Sequence, residues 1–155
     1  MSLKRKYRTL MANNLSKYPQ NPNKKIKLSK KINLYVLELE DNKYYIGTSR
    51  RPVWKRIDEH FKGNGSIWTK KFKPNAIIET RKIDNFDEDK FTKIYMEKYG
   101  SDNVRGGSYT TIKLTNTQLF LLGREFSTAN NRCYICSKIG HYANNCLFNK
   151  RPNIK

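Results

Sequence analysis

Acidic residues are scarce in this 155-residue chain, and long apolar runs are absent. Asp and Glu number 13 against 32 Lys and Arg, which gives a formal net charge of +19. Such a charge favours a polyanionic partner, because each phosphate that Lys or Arg neutralises releases counterions. The chain has no apolar stretch of spanning length, no lipidation signal and no basic amphipathic helix, so no membrane is expected. Nucleic acid is therefore the predicted partner, with DNA as the first choice.

Cysteine is also rare, since the chain has three and all of them fall in its last quarter. The N-terminus lacks the apolar core of a secretory signal peptide. These features favour an intracellular, reducing compartment, either nucleus or cytoplasm, over a secreted disulfide scaffold. In such a compartment a cluster of Cys and His is expected to bind a metal.

The cysteines belong to a spaced cluster, Cys133-x2-Cys136-x4-His141-x4-Cys146. Three thiolates and one imidazole complete a tetrahedral zinc shell, and the two-residue gap lets one tight turn present two sulfurs. The cluster resembles the retroviral-type CCHC zinc knuckle. The resemblance implies a structural Zn²⁺ with no open position for catalysis.

Aromatic and basic residues accompany this predicted knuckle. Tyr134 and Tyr142 fall where the knuckle family stacks unpaired bases, and Lys138 lies between them in sequence. We therefore predict nucleic-acid contact here, with zinc stapling of a short tail as the simpler alternative. The family often has Gly where this chain has Ser137, which predicts some strain in the turn.

Ahead of the knuckle, apolar periodicity predicts an α+β domain with a small three-stranded antiparallel sheet flanked by helices. Residues 33–47 are predicted to form a β-hairpin and residues 76–80 a third strand. A helix is expected after Pro52, with Trp54, Ile57 and Phe61 facing the sheet, and a second helix should end at Gly100. The predicted units are a flexible basic arm (1–31), this domain (32–110), a helical connector (111–130), the knuckle (131–148) and a basic tail (149–155).

Two phenols, a guanidinium and an imidazole are predicted to converge in the first domain. Tyr35 and Tyr45 lie on the two hairpin strands, and Arg56 and His60 lie four residues apart on one face of the following helix. That face is expected at the edge of the helix's buried side.

These residues resemble the GIY-YIG nuclease superfamily from about Leu34 to Tyr109. The second signature strand is intact at residues 45–47 (Tyr-Ile-Gly), whereas the first keeps only its tyrosine, Tyr35. Arg56-x3-His60 follows at the usual interval. Residues 65–74 resemble the approach to the third strand in the branch of single-domain and structure-specific members. Lys70 and Lys71 in this stretch are predicted to contact nucleic acid.

The resemblance implies a role for each residue in phosphodiester hydrolysis. Tyr35 would be the general base or its relay, Tyr45 would orient water or phosphate, and Arg56 would bind the scissile phosphate. His60 would support the tyrosines or share the proton transfer. A catalytic Mg²⁺ or Mn²⁺ would be held by Glu88, with Asp87 as the second choice.

Two functions remain open from the sequence. The first is a metal-dependent endonuclease that cuts DNA, in branched or flap structures, while the knuckle and the basic arm bind the nucleic acid. The second is a non-catalytic DNA- or RNA-binding protein that uses the same fold and knuckle as a platform.

Overall fold

The computed structural model describes residues 32–149. The predicted basic arm (1–31) and all but the first residue of the predicted tail (149–155) lie outside these residues. The division of the chain into five units stays a prediction.

The predicted hairpin is formed by β1 (Ile32–Leu39) and β2 (Lys43–Ser49), which pair antiparallel from Asn33 opposite Ser49 to Leu39 opposite Lys43. A short 3₁₀ turn joins them, and Asp41 and Asn42 have φ values of 56° and 53° there. Short polar side chains tolerate this left-handed region better than branched ones do.

The central strand β1 is buried on both of its faces. Leu34 and Val36 pack into one core with Ile46, whereas Tyr35 and Leu37 pack into a second core. Because successive side chains point to opposite faces of a sheet, this explains why β1 is a continuous apolar run rather than an alternating one.

The α+β class and the three antiparallel strands are confirmed, and a fourth strand extends the sheet. The strand order is β3-β1-β2-β4, with β3 (Pro74–Ile83) antiparallel to β1 and β4 (Val104–Gly106) parallel to β2. The sequence prediction omitted β4, because three residues beside two glycines form no recognisable strand pattern. The sheet is therefore mixed.

In the described part of the chain, four α-helices flank the sheet: α1 (Val53–Phe61), α2 (Ile67–Lys71), α3 (Asp87–Tyr99) and α4 (Asn116–Ala129). Thr115 caps α4, and its hydroxyl and the Gln118 side chain form a reciprocal capping box. No helix within residues 32–149 has the length and apolar content to cross a membrane.

The predicted orientation of α1 is wrong in part. Ile57 is buried, but Trp54 and Phe61 are 64% and 46% exposed, and His60 is completely buried in their place. The helix is rotated toward His60 because both ring nitrogens of this histidine have buried hydrogen-bond partners. These partners remove most of the cost of burying a polar side chain.

Arg105 on β4 is an unpredicted feature of the core. Its side chain is buried, and its guanidinium lies 4.5 Å from the centre of the Trp68 ring. It donates hydrogen bonds of 2.6–2.8 Å to four main-chain carbonyls, those of Ser101, Val104, Thr111 and Ile112. Arg105 therefore ties the segment after α3 to α2.

Candidate active site and metal-binding cluster

Tyr35, Tyr45 and His60 form one cluster between the hairpin and α1. Tyr35 pairs with Gly47 and Leu37 with Tyr45, so the two tyrosines are diagonal neighbours on the same sheet face. Their ring centres are 6.3 Å apart, and the His60 ring lies 5.6 Å from Tyr35 and 4.8 Å from Tyr45. Tyr35 Oη and His60 Nε2 are 2.9 Å apart.

Two glycines leave the room that this cluster needs. A Cβ at Gly47 would lie 2.5 Å from Tyr35 Cζ and closer still to its hydroxyl oxygen. A Cβ at Gly65 would lie 2.7 Å from His60 Cγ and would also overlap the Thr69 hydroxyl. The glycine of the Tyr45-Ile46-Gly47 signature is thus required by the tyrosine of the neighbouring strand.

Burial keeps the cluster uncharged at neutral pH. Burial raises the pKa of Tyr35, and the neighbouring Tyr45 raises it further. Burial also raises the pKa of Tyr45, although a hydrogen bond from Ser66 acts to lower it. Burial and then the Arg56 charge lower the pKa of His60 to about 4. Both phenols are therefore protonated at pH 7, and the imidazole is neutral.

Arg56 lies beside the phenols and is held by an acidic neighbour. Its Nη1 is 2.6 Å from Glu59 Oε2, and Glu59 also accepts a 2.9 Å hydrogen bond from Arg51. The hydrogen bond to Glu59 is the largest cause that raises the pKa of Arg56, and Tyr35 and Tyr45 raise it further. Arg56 is thus a fixed positive charge next to both hydroxyls. No local pattern marked Glu59 as its anchor.

Glu88 faces the cluster from the first turn of α3. Its carboxylate accepts hydrogen bonds from Thr48 Oγ1 at 2.7 Å and from the main-chain nitrogen of Gly107 at 3.3 Å. The negative charge of Glu88 raises the pKa of both Tyr35 and Tyr45, so the carboxylate lies near enough to the phenols for its charge to act on them. Sequence reasoning missed Thr48.

The neighbouring acids of the triplet have other partners. Asp87 accepts a 3.0 Å hydrogen bond from the main-chain nitrogen of Asp84, at the start of α3. Asp89 accepts hydrogen bonds of 2.7 and 2.8 Å from the main-chain nitrogen and the hydroxyl of Ser108. Of the three acids, Glu88 is the one whose charge is among the causes that raise the pKa of both Tyr35 and Tyr45.

A single carboxylate fits a magnesium ion that is shared with substrate. Mg²⁺ in phosphoryl-transfer sites is usually held by one or two carboxylates, with waters and phosphate oxygens completing the octahedron. Glu88 is half-buried, and each of its oxygens retains a free lone pair beside its hydrogen bond. Within residues 32–149, the one grouping of three or more potential His, Cys, Asp or Glu ligands is elsewhere, at the knuckle.

The predicted knuckle residues do come together. The potential ligand atoms of Cys133, Cys136, His141 and Cys146 all lie within 4.8 Å of one another. Two main-chain groups shape the turn: the nitrogen of Ile135 donates to Cys133 Sγ at 3.4 Å, and that of Ser137 donates to the Cys133 carbonyl at 2.6 Å. Three thiols and one imidazole at this spacing suit a closed zinc site.

The aromatic residues of the knuckle are exposed, with 46% of Tyr134 and 71% of Tyr142 accessible. The guanidinium of Arg124, on α4, lies 4.7 Å from the centre of the Tyr134 ring, a contact that no sequence pattern indicated. Lys138, Lys70 and Lys71 are exposed as well. The last two lie on α2 and not on the knuckle.

Comparison with known proteins gives a match over the part of the chain that contains the first of these two sites. Residues 31–105 match a family model described as the GIY-YIG catalytic domain, which covers β1 through the first residues of β4. No curated protein and no solved structure gives a significant match to the chain.

Proposed function

We propose that the protein is a metal-dependent endonuclease that hydrolyses phosphodiester bonds in DNA. The match of residues 31–105 to the GIY-YIG catalytic domain supports a nuclease with nucleic acid as the substrate class. One observation carries the proposal. Tyr35, Tyr45, Arg56 and His60 converge on one side of the sheet, and the charge of Glu88 acts on both phenols.

The residues present account for the proton and the charge in hydrolysis. A water would give one proton to Tyr35 Oη as its oxygen bonds to phosphorus, while the proton of Tyr35 passes to His60 Nε2 across 2.9 Å. Tyr45 would orient the water or a phosphate oxygen, and Arg56 would neutralise charge on the phosphoryl oxygens. The leaving oxygen departs with the electrons of the broken P–O bond. A Mg²⁺ or Mn²⁺ ion held by Glu88 would supply stabilisation of that oxygen's charge.

The knuckle and the basic segments would serve as the grip. Tyr134 and Tyr142 offer exposed rings for unpaired bases, and Lys138 adds positive charge beside them. A knuckle that prefers single strands favours branched or flap DNA over a plain duplex. The zinc would be structural, and its need for reduced thiolates favours an intracellular compartment.

A cleavage assay tests the proposal. The protein is incubated with Mg²⁺, Mn²⁺ or EDTA and with a panel of duplex, single-stranded, flap, fork and four-way-junction DNAs, next to matched RNAs. Cleavage with either metal and none with EDTA is expected. Binding of the panel without cleavage would support the alternative of a non-catalytic DNA- or RNA-binding platform.

Isosteric variants test the carboxylate that would hold the catalytic ion. Glu88→Gln should lower the cleavage rate by about a hundredfold or more, since the charge is removed and the size is kept. Asp87→Asn is the matched control and should retain activity, because Asp87 pairs with its own helix start. The opposite result would move the assignment from Glu88 to Asp87. Arg56→Ala should also abolish cleavage.

A separate variant tests the knuckle. Cys136→Ser should release zinc, measured by metal analysis, and weaken DNA binding, measured by fluorescence anisotropy. Slow cleavage should persist at high enzyme concentration, because Cys136 is not part of the candidate active site formed by the phenols and Glu88. Complete loss of chemistry under those conditions would mean that the grip and the nuclease domain do not act independently.

A further inference from the structure

His60 is hydrogen-bonded through both of its ring nitrogens. Nε2 lies 2.9 Å from Tyr35 Oη, and Nδ1 lies 2.8 Å from Thr69 Oγ1. The imidazole is neutral at pH 7, because its pKa is lowered to about 4, and so it carries one ring hydrogen. In one arrangement Nδ1 donates to Thr69 and Nε2 accepts from Tyr35. In the other, Nε2 donates to Tyr35 and Nδ1 accepts from Thr69.

The surroundings of Thr69 distinguish these two arrangements. Its hydroxyl has one hydrogen and lies 3.1 Å from the main-chain carbonyl oxygen of Ser66, which can only accept. With that hydrogen on Ser66 O, Thr69 Oγ1 must accept from His60 Nδ1. In the reverse arrangement the Thr69 hydrogen would point at Nδ1, and two oxygens would face each other at 3.1 Å with no hydrogen between them.

The surroundings of Tyr35 lead to the same assignment. Burial raises the pKa of Tyr35, and the Arg56 charge beside the phenol acts to lower it, so a group that can only donate lies near Oη. The Tyr35 hydroxyl therefore directs its hydrogen away from Arg56 and toward His60 Nε2, at 2.9 Å. With His60 in its Nδ1–H form, the contacts of Tyr35 with His60, of His60 with Thr69 and of Thr69 with the Ser66 carbonyl each contain one hydrogen.

We propose that Thr69 is a positioning residue that fixes His60 in its Nδ1–H tautomer and so directs the hydroxyl hydrogen of Tyr35 to Nε2. The consequence for catalysis rests on the nuclease function proposed above. An unprotonated Nε2 can take the Tyr35 hydrogen while Oη takes a proton from water, whereas a protonated Nε2 cannot. Thr69 touches neither substrate nor metal and acts through His60. Gly65 leaves the space in which the Thr69 and His60 side chains meet.

Nuclear magnetic resonance tests the tautomer without reference to activity. The chain has two histidines, so long-range ¹H–¹⁵N spectra of the full-length, zinc-loaded protein at pH 7 are simple, and His60→Gln assigns the His60 signals. The unmutated protein and Thr69→Ser should show the Nδ1–H pattern. Thr69→Val, which keeps the shape and lacks the acceptor, should show Nε2–H or a mixture. A Nε2–H pattern in the unmutated protein overturns the proposal, as does an unchanged Nδ1–H pattern in Thr69→Val.

Steady-state cleavage supplies the second readout, after circular dichroism has established that the variants are folded. Thr69→Val should lower kcat by about ten- to a hundredfold with KM within about twofold, and Thr69→Ser should restore most of it. Thr128→Val is the control, because Thr128 also donates to a carbonyl within its helix but lies on α4. Equal losses in the Ser and Val variants would overturn the positioning role.

The two proposals fail in different ways. A Nδ1–H tautomer in a protein that cuts none of the panel would refute the nuclease function and leave the assignment of the ring hydrogen intact. A protein that cuts well with His60 in its Nε2–H form would refute only the role of Thr69. If Thr69→Val does not fold, the spectra of the unmutated protein and of Thr69→Ser still decide the tautomer.

Discussion

Replacing Gly47 by alanine should damage the fold and the candidate active site together. The new Cβ would lie 2.5 Å from Tyr35 Cζ, about 1 Å inside ordinary carbon–carbon contact. Tyr35 is 1% exposed and contacts the His60 ring, and Gly47 is its own cross-strand partner. Neither strand can retreat without breaking the pairing of the hairpin.

The size of the effect follows from two opposing terms. Overpacking of a tight interior costs about 1–3 kcal/mol, and displacement of the Tyr35 hydroxyl from His60 adds about 1 kcal/mol. Alanine restricts the unfolded chain and returns about 0.4–1 kcal/mol. The free energy of unfolding should therefore fall by about 2–3 kcal/mol, and cleavage should fall by at least about tenfold, since the relay begins at Tyr35.

Urea denaturation and the cleavage assay measure both effects, with Gly123→Ala as the control. Gly123 lies inside α4, and a Cβ there meets nothing within 4 Å, so alanine should stabilise the helix by about 0.5–1 kcal/mol. In a Tyr35→Leu background the cost of Gly47→Ala should shrink by about 1–2 kcal/mol. A Gly47→Ala protein as stable and as active as its parent would refute the close approach of Tyr35 to this strand.

Three further perturbations test other parts of the structure. Between pH 6.5 and about 4 the unfolded chain binds a proton at His60 that the folded chain excludes, so the free energy of unfolding should fall by roughly 3 kcal/mol as the pH is lowered through this range. Urea titrations at several pH values should show a smaller fall for His60→Gln. An equal dependence of stability on pH in the two proteins would contradict the buried neutral ring. Ser137 has φ +58°, so Ser137→Gly should raise the stability of the zinc-loaded knuckle by up to about 1 kcal/mol in a chelator competition assay, and a loss would argue against the strained turn. Arg105→Met should lower the free energy of unfolding of the domain by about 3 kcal/mol or more, because four carbonyls lose their donor. Thermal unfolding measures this change, and a loss under about 1 kcal/mol would mean that water replaces the guanidinium.

The sequence allowed the hairpin to be predicted, together with the approach of its two tyrosines, one on each strand. The spacing of Arg56 and His60 likewise placed both on one side of α1. The depth of His60 could not be predicted, since it depends on Thr69 and Tyr35, which lie on other elements. The helical spacing of Trp54, Ile57 and Phe61 put Trp54 on the buried face instead.

Contacts between distant segments account for the other omissions. Arg105 looks like one more surface charge in a basic sequence. Only the fold shows its four carbonyl partners, two at or before the start of β4 (Ser101 and Val104) and two after β4 (Thr111 and Ile112). The choice of Glu88 over Asp87 depends on a threonine forty residues away in sequence, Thr48. The knuckle was predictable in full as a ligand set, because its spacing is local and its chemistry is specific.

The double-sided burial of β1 links the timing of activity to the completion of folding. Tyr35 alternates with Leu34 and Val36, which belong to the opposite core, so a shift by one residue would exchange the phenol for an aliphatic side chain. The cluster of Tyr35, Tyr45 and His60 therefore cannot assemble on a chain that has filled only one side of its sheet. If the protein has the proposed nuclease function, a newly made or partly unfolded molecule would not cut nucleic acid, and cleavage would begin only with the finished fold.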